Sequence, residues 1–559
     1  MKKSFLNKCS KKLRGLWVVV VIGALVGGSL LAVPPRDPNY RGPFPKDHVH
    51  KIPDVRTLRA LGYSPNQIQK VIGTTGTKKV AVVLVNFPSA DSTTSGSPVM
   101  TSTDIVGFNT LFANLKSFYN ECSYGQLNLD ITFFHSTGST TNLTGGETPY
   151  MLGNPMQYYG QDSEASLSQL VKDAILSAAV NSSSYDCVMV AHAGYGDEGD
   201  GLAYPGDIWS VFVTWSGAVN GFTEGTIVPA REASGSSALG VICHEFGHQL
   251  GLWDLYDSSV QSSKVGIWSL MDYGCWGGNG FKPSHPCAWD KEKLGWINPV
   301  VVSSATTRIF YPVETSSNTI VKIPIDIVAD GSQYFLLEYR KKSAAGTNWD
   351  GDLPGDGILI WYIDEGTIDG IDFASRQANN TLNLGTYSHL TVTLKNADTT
   401  DPGSNHGDST DPWPGTRTNF TSPYSDTWDG KPTLIAVTSF QGAGSSQMSA
   451  NITKIAAAPT LSVVRGINYP NPANDQTTIQ FVLTRPPEKY RLDLYNLAGE
   501  LVAENLPMSV SARSRDNYWI YESNFNTRNL SGDLLSPGVY IYLLTADGQK
   551  KSGKLVIER

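Results

Sequence analysis

Two histidines four residues apart, His244 and His248, enclose Glu245 in the segment HEFGH. On a helix, residues four apart share a face, so both imidazoles can aim at one ion. Zinc accepts imidazole nitrogen at about 2.0–2.1 Å and takes four ligands. Glu245, one residue along, stands off the ligand axis. There a carboxylate can take a proton from metal-bound water and later hand it to a leaving amine. Placing a third ligand while leaving the ion open requires the chain to turn away. Gly251 permits this, because glycine adopts positive φ as a helix stop. Asp254 then arrives as the third ligand, with Asp257 as its rival and a more distant Glu as a weaker one. A carboxylate oxygen suits zinc at about 2.0–2.2 Å, and a fourth position kept for water marks a catalytic rather than a structural site.

A bare HExxH also occurs by chance in buried helices. Gly251 and Asp254 at the extended spacing raise its specificity, as do the surrounding Val241, Ile242, Phe246, Leu250 and Leu252. A second element, SLMDYG from Ser269 to Gly274, follows soon after. A methionine in a tight turn beneath a zinc site is the Met-turn of metzincins. Met271 would floor the histidine rings, although core packing is the commoner role of methionine. Tyr273 could donate a hydrogen bond to a tetrahedral oxyanion. The implied chemistry is metal-assisted peptide hydrolysis.

These residues need a frame. KVAVVLVNF (79–87), 127–134 and 185–191 read as strands, while 105–119 and 167–179 have helical spacing. Residues 238–252 read as one helix carrying the histidines. This alternation gives an α+β catalytic unit over 77–300. Short alternating strands at 308–311, 321–327, 334–339, 357–363 and 390–394 form a β-rich segment, 301–455, that completes or packs on that unit. After a linker at 456–459, the last stretch to 559 is β by pattern. His192, Asp197 and Asp200 read as a polar Gly-rich loop after a strand. Trp253, Trp268, Trp276, Trp289 and Trp296 read as core, and Asp408 to Trp413 as a turn.

The chain carries a net charge of −8 over 559 residues, which leaves no basic field for a phosphate backbone and excludes nucleic acid as a partner. Residues 1–32 join a basic stretch to an apolar run from Leu16 to Leu31, the pattern of a secretory signal ending near Ala32. The run is shorter than a comfortable span of ~20 residues, which favours cleavage over anchoring. Residues 33–76 read as a propeptide or linker. Five cysteines remain after the leader, and Cys275 with Cys287 is the expected disulfide.

HEFGHQLGLWDLYD, SLMDYG, FLLEYR (335–340) and LPGDGILIWYID (353–364) together resemble the M6 family of secreted metallopeptidases, the immune inhibitor A type. The resemblance runs over roughly 79–453. It implies a metzincin-like catalytic domain, a preceding propeptide and extracellular proteolysis of polypeptides. It also implies His244, His248 and Asp254 as Zn2+ ligands, Glu245 as general base, and structural Ca2+ with Asp197-Glu198-Gly199-Asp200 as a candidate turn. YPNPANDQTTIQFVL, LDLYNLAGELV and LSPGVYIYLLTADGQKKSGKLVIER resemble the C-terminal immunoglobulin-like β-sandwich sorting module of bacterial secreted proteins. That implies secretion machinery or the cell surface as a partner and a secreted, extracellular protein. The rival from another class is a surface-binding or adhesive protein with a degenerate protease-like core, and the intact His, Glu and Asp set argues against it.

Overall fold

A Val-rich run with no polar interruption has both faces to bury, and it becomes the centre of a sheet. In the computed structural model, which describes residues 30–32, 73–161, 163–199, 204–328, 330–342, 349–398, 400–455, 461–513 and 519–559, that run is β2 (Gly76–Asn86). It pairs in parallel with β3 (Leu127–His135) on one side and β6 (Cys187–Tyr195) on the other. Beyond β6 lies parallel β8 (Phe222–Arg231), then antiparallel β7 (Val211–Val219). Leu30–Ala32, at the end of the expected leader, pairs antiparallel with Val211–Val213 at that edge. Residues 1–29 and 33–72, and with them most of the leader and the propeptide or linker, lie outside the described residues, as do 456–460 with the expected linker.

The β7–β8 hairpin was not read from the sequence. Its signal is the dipeptide Asn220-Gly221, both residues at positive φ (47° and 85°), which two-residue hairpins favour. The helices Ser102–Cys122 and Glu164–Ala178 match the expected segments. The first is closed by a capping box between Thr101 and Asp104. His192 belongs to β6 rather than to a loop. It is fully buried and bonds the Ala193 carbonyl at 2.8 Å, and burial holds its pKa down at about 4. Asp197 and Glu198 are buried too, not solvated, while Asp200 is outside the described residues.

The segment 301–455 shares the core of the segment before it. Its five-stranded sheet runs β14-β13-β12-β11-β9, with β9 (Val300–Val301), β11 (Val321–Pro324), β12 (Gln333–Arg340), β13 (Gly357–Asp364) and β14 (Val392–Leu394). Side chains alternate across a strand. Tyr334, Leu336, Leu359, Trp361 and Ile363 therefore enter the large core together with residues of the helices Ser102–Cys122 and Glu164–Ala178. Phe335, Leu337, Tyr339, Ile358, Ile360 and Tyr362 face a second core, closed by the sheet of Thr306–Phe310, Met448–Lys454 and Ile435–Gln441. Full burial of one such side chain contributes roughly 1.5–3 kcal/mol. The hairpin 435–454 was another element the sequence reading passed over. Residues 463–557 form two four-stranded antiparallel sheets around their own core.

The expected disulfide is absent: Cys275 and Cys287 are both free and buried. Cys287 caps the helix Ala288–Lys293 beside Asp290, while Cys275 lies where its carbonyl packs against Gly240. The two are close in sequence but are held by different neighbours. The five tryptophans named above all pack in the large core.

Candidate metal centre

The helix Leu239–Leu250 is buried at every position. Tyr119, from the helix Ser102–Cys122, donates to the Cys243 carbonyl at 2.5 Å, and Gln249 donates to the Val188 carbonyl of β6 at 3.1 Å. These contacts fix the helix to the sheet. It stops at Gly251, whose φ of 102° lies in the left-handed region.

Beyond the stop, Asp254 folds back on the histidines. Its Oδ1 lies 3.1 Å from His244 Nε2 and 3.2 Å from His248 Nε2, and the two Nε2 atoms are 3.2 Å apart. His244 Nδ1 meets the Leu270 carbonyl at 2.9 Å and His248 Nδ1 meets the Leu252 carbonyl at 3.0 Å. A carbonyl only accepts, so each Nδ1 carries the proton and each Nε2 presents a lone pair. Two such nitrogens and a carboxylate oxygen cannot hydrogen-bond with one another. Three ligands at about 2.0–2.1 Å in tetrahedral array stand about 3.3 Å apart, so this triangle fits a zinc-sized cation. Burial holds the His244 pKa below its usual value, which keeps the ring neutral.

Glu245 is fully buried, with a carboxylate oxygen within 4.8 Å of ligand atoms of both histidines. Met271 packs against the helix at Gly247. A Cβ on Gly247 would come within 2.9 Å of its sulfur, so the glycine inside HEFGH lets methionine and helix meet. The Met271 carbonyl accepts from Leu255 N at 2.8 Å, joining the turn to the Asp254 loop. Asp272 accepts from the backbone amides of Lys264, Val265, Gly266 and Tyr273 at 2.6–3.0 Å and braces the same turn.

The structure thus gathers His244, Glu245, His248, Asp254 and Met271. Tyr273 sits in the same turn with its ring stacked on His406 at 3.9 Å. Asp257 turns elsewhere, to the Gly385 amide at 2.6 Å and the Ser259 hydroxyl at 2.6 Å. Sequence reasoning missed several neighbours. Tyr256 is buried, and burial together with the negative Asp254, to which it hydrogen-bonds, pushes its pKa well up. Arg340 of β12 is fully buried, pairs with Asp350 through Nε at 2.5 Å and Nη2 at 2.6 Å, and donates to the Trp268 carbonyl at 2.8 Å. Asn380 touches Asp254 directly. A second acidic group, Asp398, Asp408 and Asp411, stands apart, and Asp411 accepts from Trp268 Nε1 at 2.8 Å.

Two imidazoles from one buried helix and a carboxylate from just past its end frame a metal-sized gap. The segment that carries it, residues 181–297, matches the immune inhibitor A peptidase M6 catalytic domain, and residues 468–558 match the secretion system C-terminal sorting domain. The first segment is thus similar to the catalytic domain of M6 peptidases, and the second to a domain that sorts proteins for secretion. The pre-pro-metalloprotease PrtV of Vibrio cholerae serotype O1 is 31% identical over 165 residues, covering 24% of this chain and 17% of that protein. Immune inhibitor A of Bacillus thuringiensis subsp. alesti is 34% identical over 145 residues, covering 21% and 20%. The chain spans about a fifth of the length of these curated relatives. Among solved structures, PorZ of the type-IX secretion system of Porphyromonas gingivalis aligns at 15% identity over 22% of this chain and 15% of its own, with a TM-score of 0.13, too low to inform fold or function. Among the described residues no helix is long and apolar enough to cross a membrane.

Proposed function

We propose that this protein is a secreted zinc metalloendopeptidase with a metzincin-like catalytic domain, acting on extracellular polypeptides. The observation that carries the reading is the triangle of His244 Nε2, His248 Nε2 and Asp254 Oδ1, with edges of 3.1–3.2 Å and both imidazole tautomers fixed. These three residues would hold the ion. Zinc in such a site acts as a Lewis acid and lowers the pKa of its water toward ~7.

The chain's own groups do the rest. Glu245 accepts the proton of the attacking water and delivers it to the departing amine nitrogen. Its burial strengthens every charge interaction it makes there. Tyr273 donates its hydroxyl to the oxyanion of the substrate carbonyl. The Leu270 carbonyl orients the His244 ring and the Leu252 carbonyl orients the His248 ring. The 301–455 segment belongs to the catalytic unit, the 456–559 stretch is an immunoglobulin-like sorting module that engages secretion machinery or the cell surface, and Asp197 and Glu198 are candidate structural Ca2+ ligands.

The test uses the secreted full chain and two readouts, zinc content and casein cleavage. Wild type is expected to carry one zinc and to lose cleavage with a chelator. Glu245→Ala keeps the zinc and loses cleavage, while His244→Ala loses both. Full cleavage by Glu245→Ala, or by metal-free wild type, sinks the proposal. An adhesive protein with a dead core would cleave nothing in any of these states.

A further inference from the structure

Asp254 has two carboxylate oxygens, and only Oδ1 faces the histidines. Oδ2 accepts from Asn380 Nδ2 at 2.5 Å, and the Asp254 amide donates to Asn380 Oδ1 at 2.9 Å. The two contacts have opposite polarity, so they permit one orientation of the Asn380 amide. Asn380 is 5% exposed, and its own backbone is at positive φ (47°), a conformation asparagine tolerates better than most residues. The pairing spans 126 positions of sequence. It is one of several contacts between two loops. The Asn380 carbonyl accepts from Ser258 Oγ at 3.2 Å, Asn383 Nδ2 donates to the Leu255 carbonyl at 2.9 Å, and the Gly385 amide donates to Asp257.

We infer that Asn380 is a positioning residue of the metal centre: by engaging Oδ2 and the backbone amide of Asp254, it restricts this ligand to one oxygen directed at the ion. The inference rests on the metallopeptidase reading above. A free carboxylate on zinc can swing out or bind through both oxygens. Either change alters the ligand count, and the second fills the position that water needs. With Oδ2 committed to an amide donor, Asp254 offers Oδ1 alone. Outer partners of this kind typically set metal affinity by 10–100-fold. The 301–455 segment therefore completes the centre without supplying a ligand to it.

The test is competitive zinc titration of the secreted full chain against a chromophoric chelator, with thermal unfolding of the zinc-stripped protein alongside. Asn380→Asp keeps the shape and the acceptor for the Asp254 amide but replaces the donor to Oδ2 with an acceptor of like charge. Asn380→Ala removes both contacts. Both variants are expected to bind zinc about 10–100-fold more weakly than wild type, Asp at least as weakly as Ala, and Asp, which sets a second carboxylate against the buried Asp254, is expected to lower the stripped-state Tm more than Ala. Saturating zinc should restore cleavage to Asn380→Ala more fully than it can to Glu245→Ala. Asn380→Asp binding zinc within threefold of wild type overturns the inference and leaves the metallopeptidase reading intact. Wild type that takes up no zinc overturns both. A drop in stripped-state Tm with unchanged zinc affinity would mean that Asn380 serves only the fold, and that result also rejects the inference.

Discussion

Asp350→Ala offers the sharpest test of how the second sheet supports the site. Asp350 is buried and accepts from Arg340 through two charge-assisted bonds of 2.5 and 2.6 Å, and from the His285 amide at 2.8 Å. Its removal leaves the guanidinium without its bidentate partner, with Glu338 3.6 Å away and Glu314 acting on it from farther off. Breaking a buried pair from one side costs about 3–5 kcal/mol. At roughly 2 °C per kcal/mol for a large domain, the Tm of the main transition should fall about 6–10 °C. Arg340 also holds the Trp268 carbonyl, two residues before the Leu270 carbonyl that orients His244. Zinc affinity should therefore fall along with stability. The double variant Arg340→Met with Asp350→Leu leaves no unpaired charge at these two positions and should recover more than half of the lost stability. Differential scanning calorimetry with and without zinc reads all of this. A Tm loss under 2 °C for Asp350→Ala, or a double variant less stable than the single, would refute the reasoning.

Other outcomes follow from the same contacts. Gly247→Ala should destabilise by about 1–3 kcal/mol, despite alanine's helix preference, because the new methyl meets the Met271 sulfur at 2.9 Å; urea unfolding reads the sign. Asp290 is buried and its pKa is pushed up to about 7, against 3.8 in an unfolded chain. The folded state thus holds a proton that the unfolded state has released, and the stability present below pH ~4 is lost as pH rises through about 7. Asp290→Asn should flatten that slope, which amounts to about 3 kcal/mol over the two units between pH 5 and about 7, in urea midpoints at pH 5 and pH 8. Tyr273→Phe should lower kcat more than it raises KM and leave zinc content unchanged, if its hydroxyl serves the oxyanion. Equal kcat for that variant in single-turnover assays removes Tyr273 from the mechanism.

What the sequence made readable was local. A helix turns spacing into direction, so His244, Glu245 and His248 declare a shared face, and Gly251 declares the exit that brings Asp254 back. Continuous and alternating apolar runs located β2, β6, β12 and β13. The residues that hold the ligands in place were not readable. Asn380, Arg340 and Tyr256 belong to types common on any surface, and Asn380 and Arg340 act across large sequence separations fixed only by the packing of the second sheet. Cys275 and Cys287 misled for the converse reason: proximity along the chain says little when each is held by a different helix. The Asn220-Gly221 turn, by contrast, is a hairpin signal legible in the sequence itself. Asp197 reads as part of a polar Gly-rich loop because acidic, Gly-rich stretches are usually exposed, yet here it and Glu198 are buried.

The two-faced sheet of β12 and β13 sets the size of the working unit. A fragment cut at residue 297, where the peptidase match ends, would lose Asn380 from Asp254, Arg340 and Asp411 from Trp268, and the apolar wall formed by Leu336, Leu359 and Trp361. Such a piece would carry every proposed ligand and still expose the underside of its own core to water. Grafting or expressing this centre therefore means moving everything from the first Val-rich strand through the hairpin ending at Lys454 as a single inheritance.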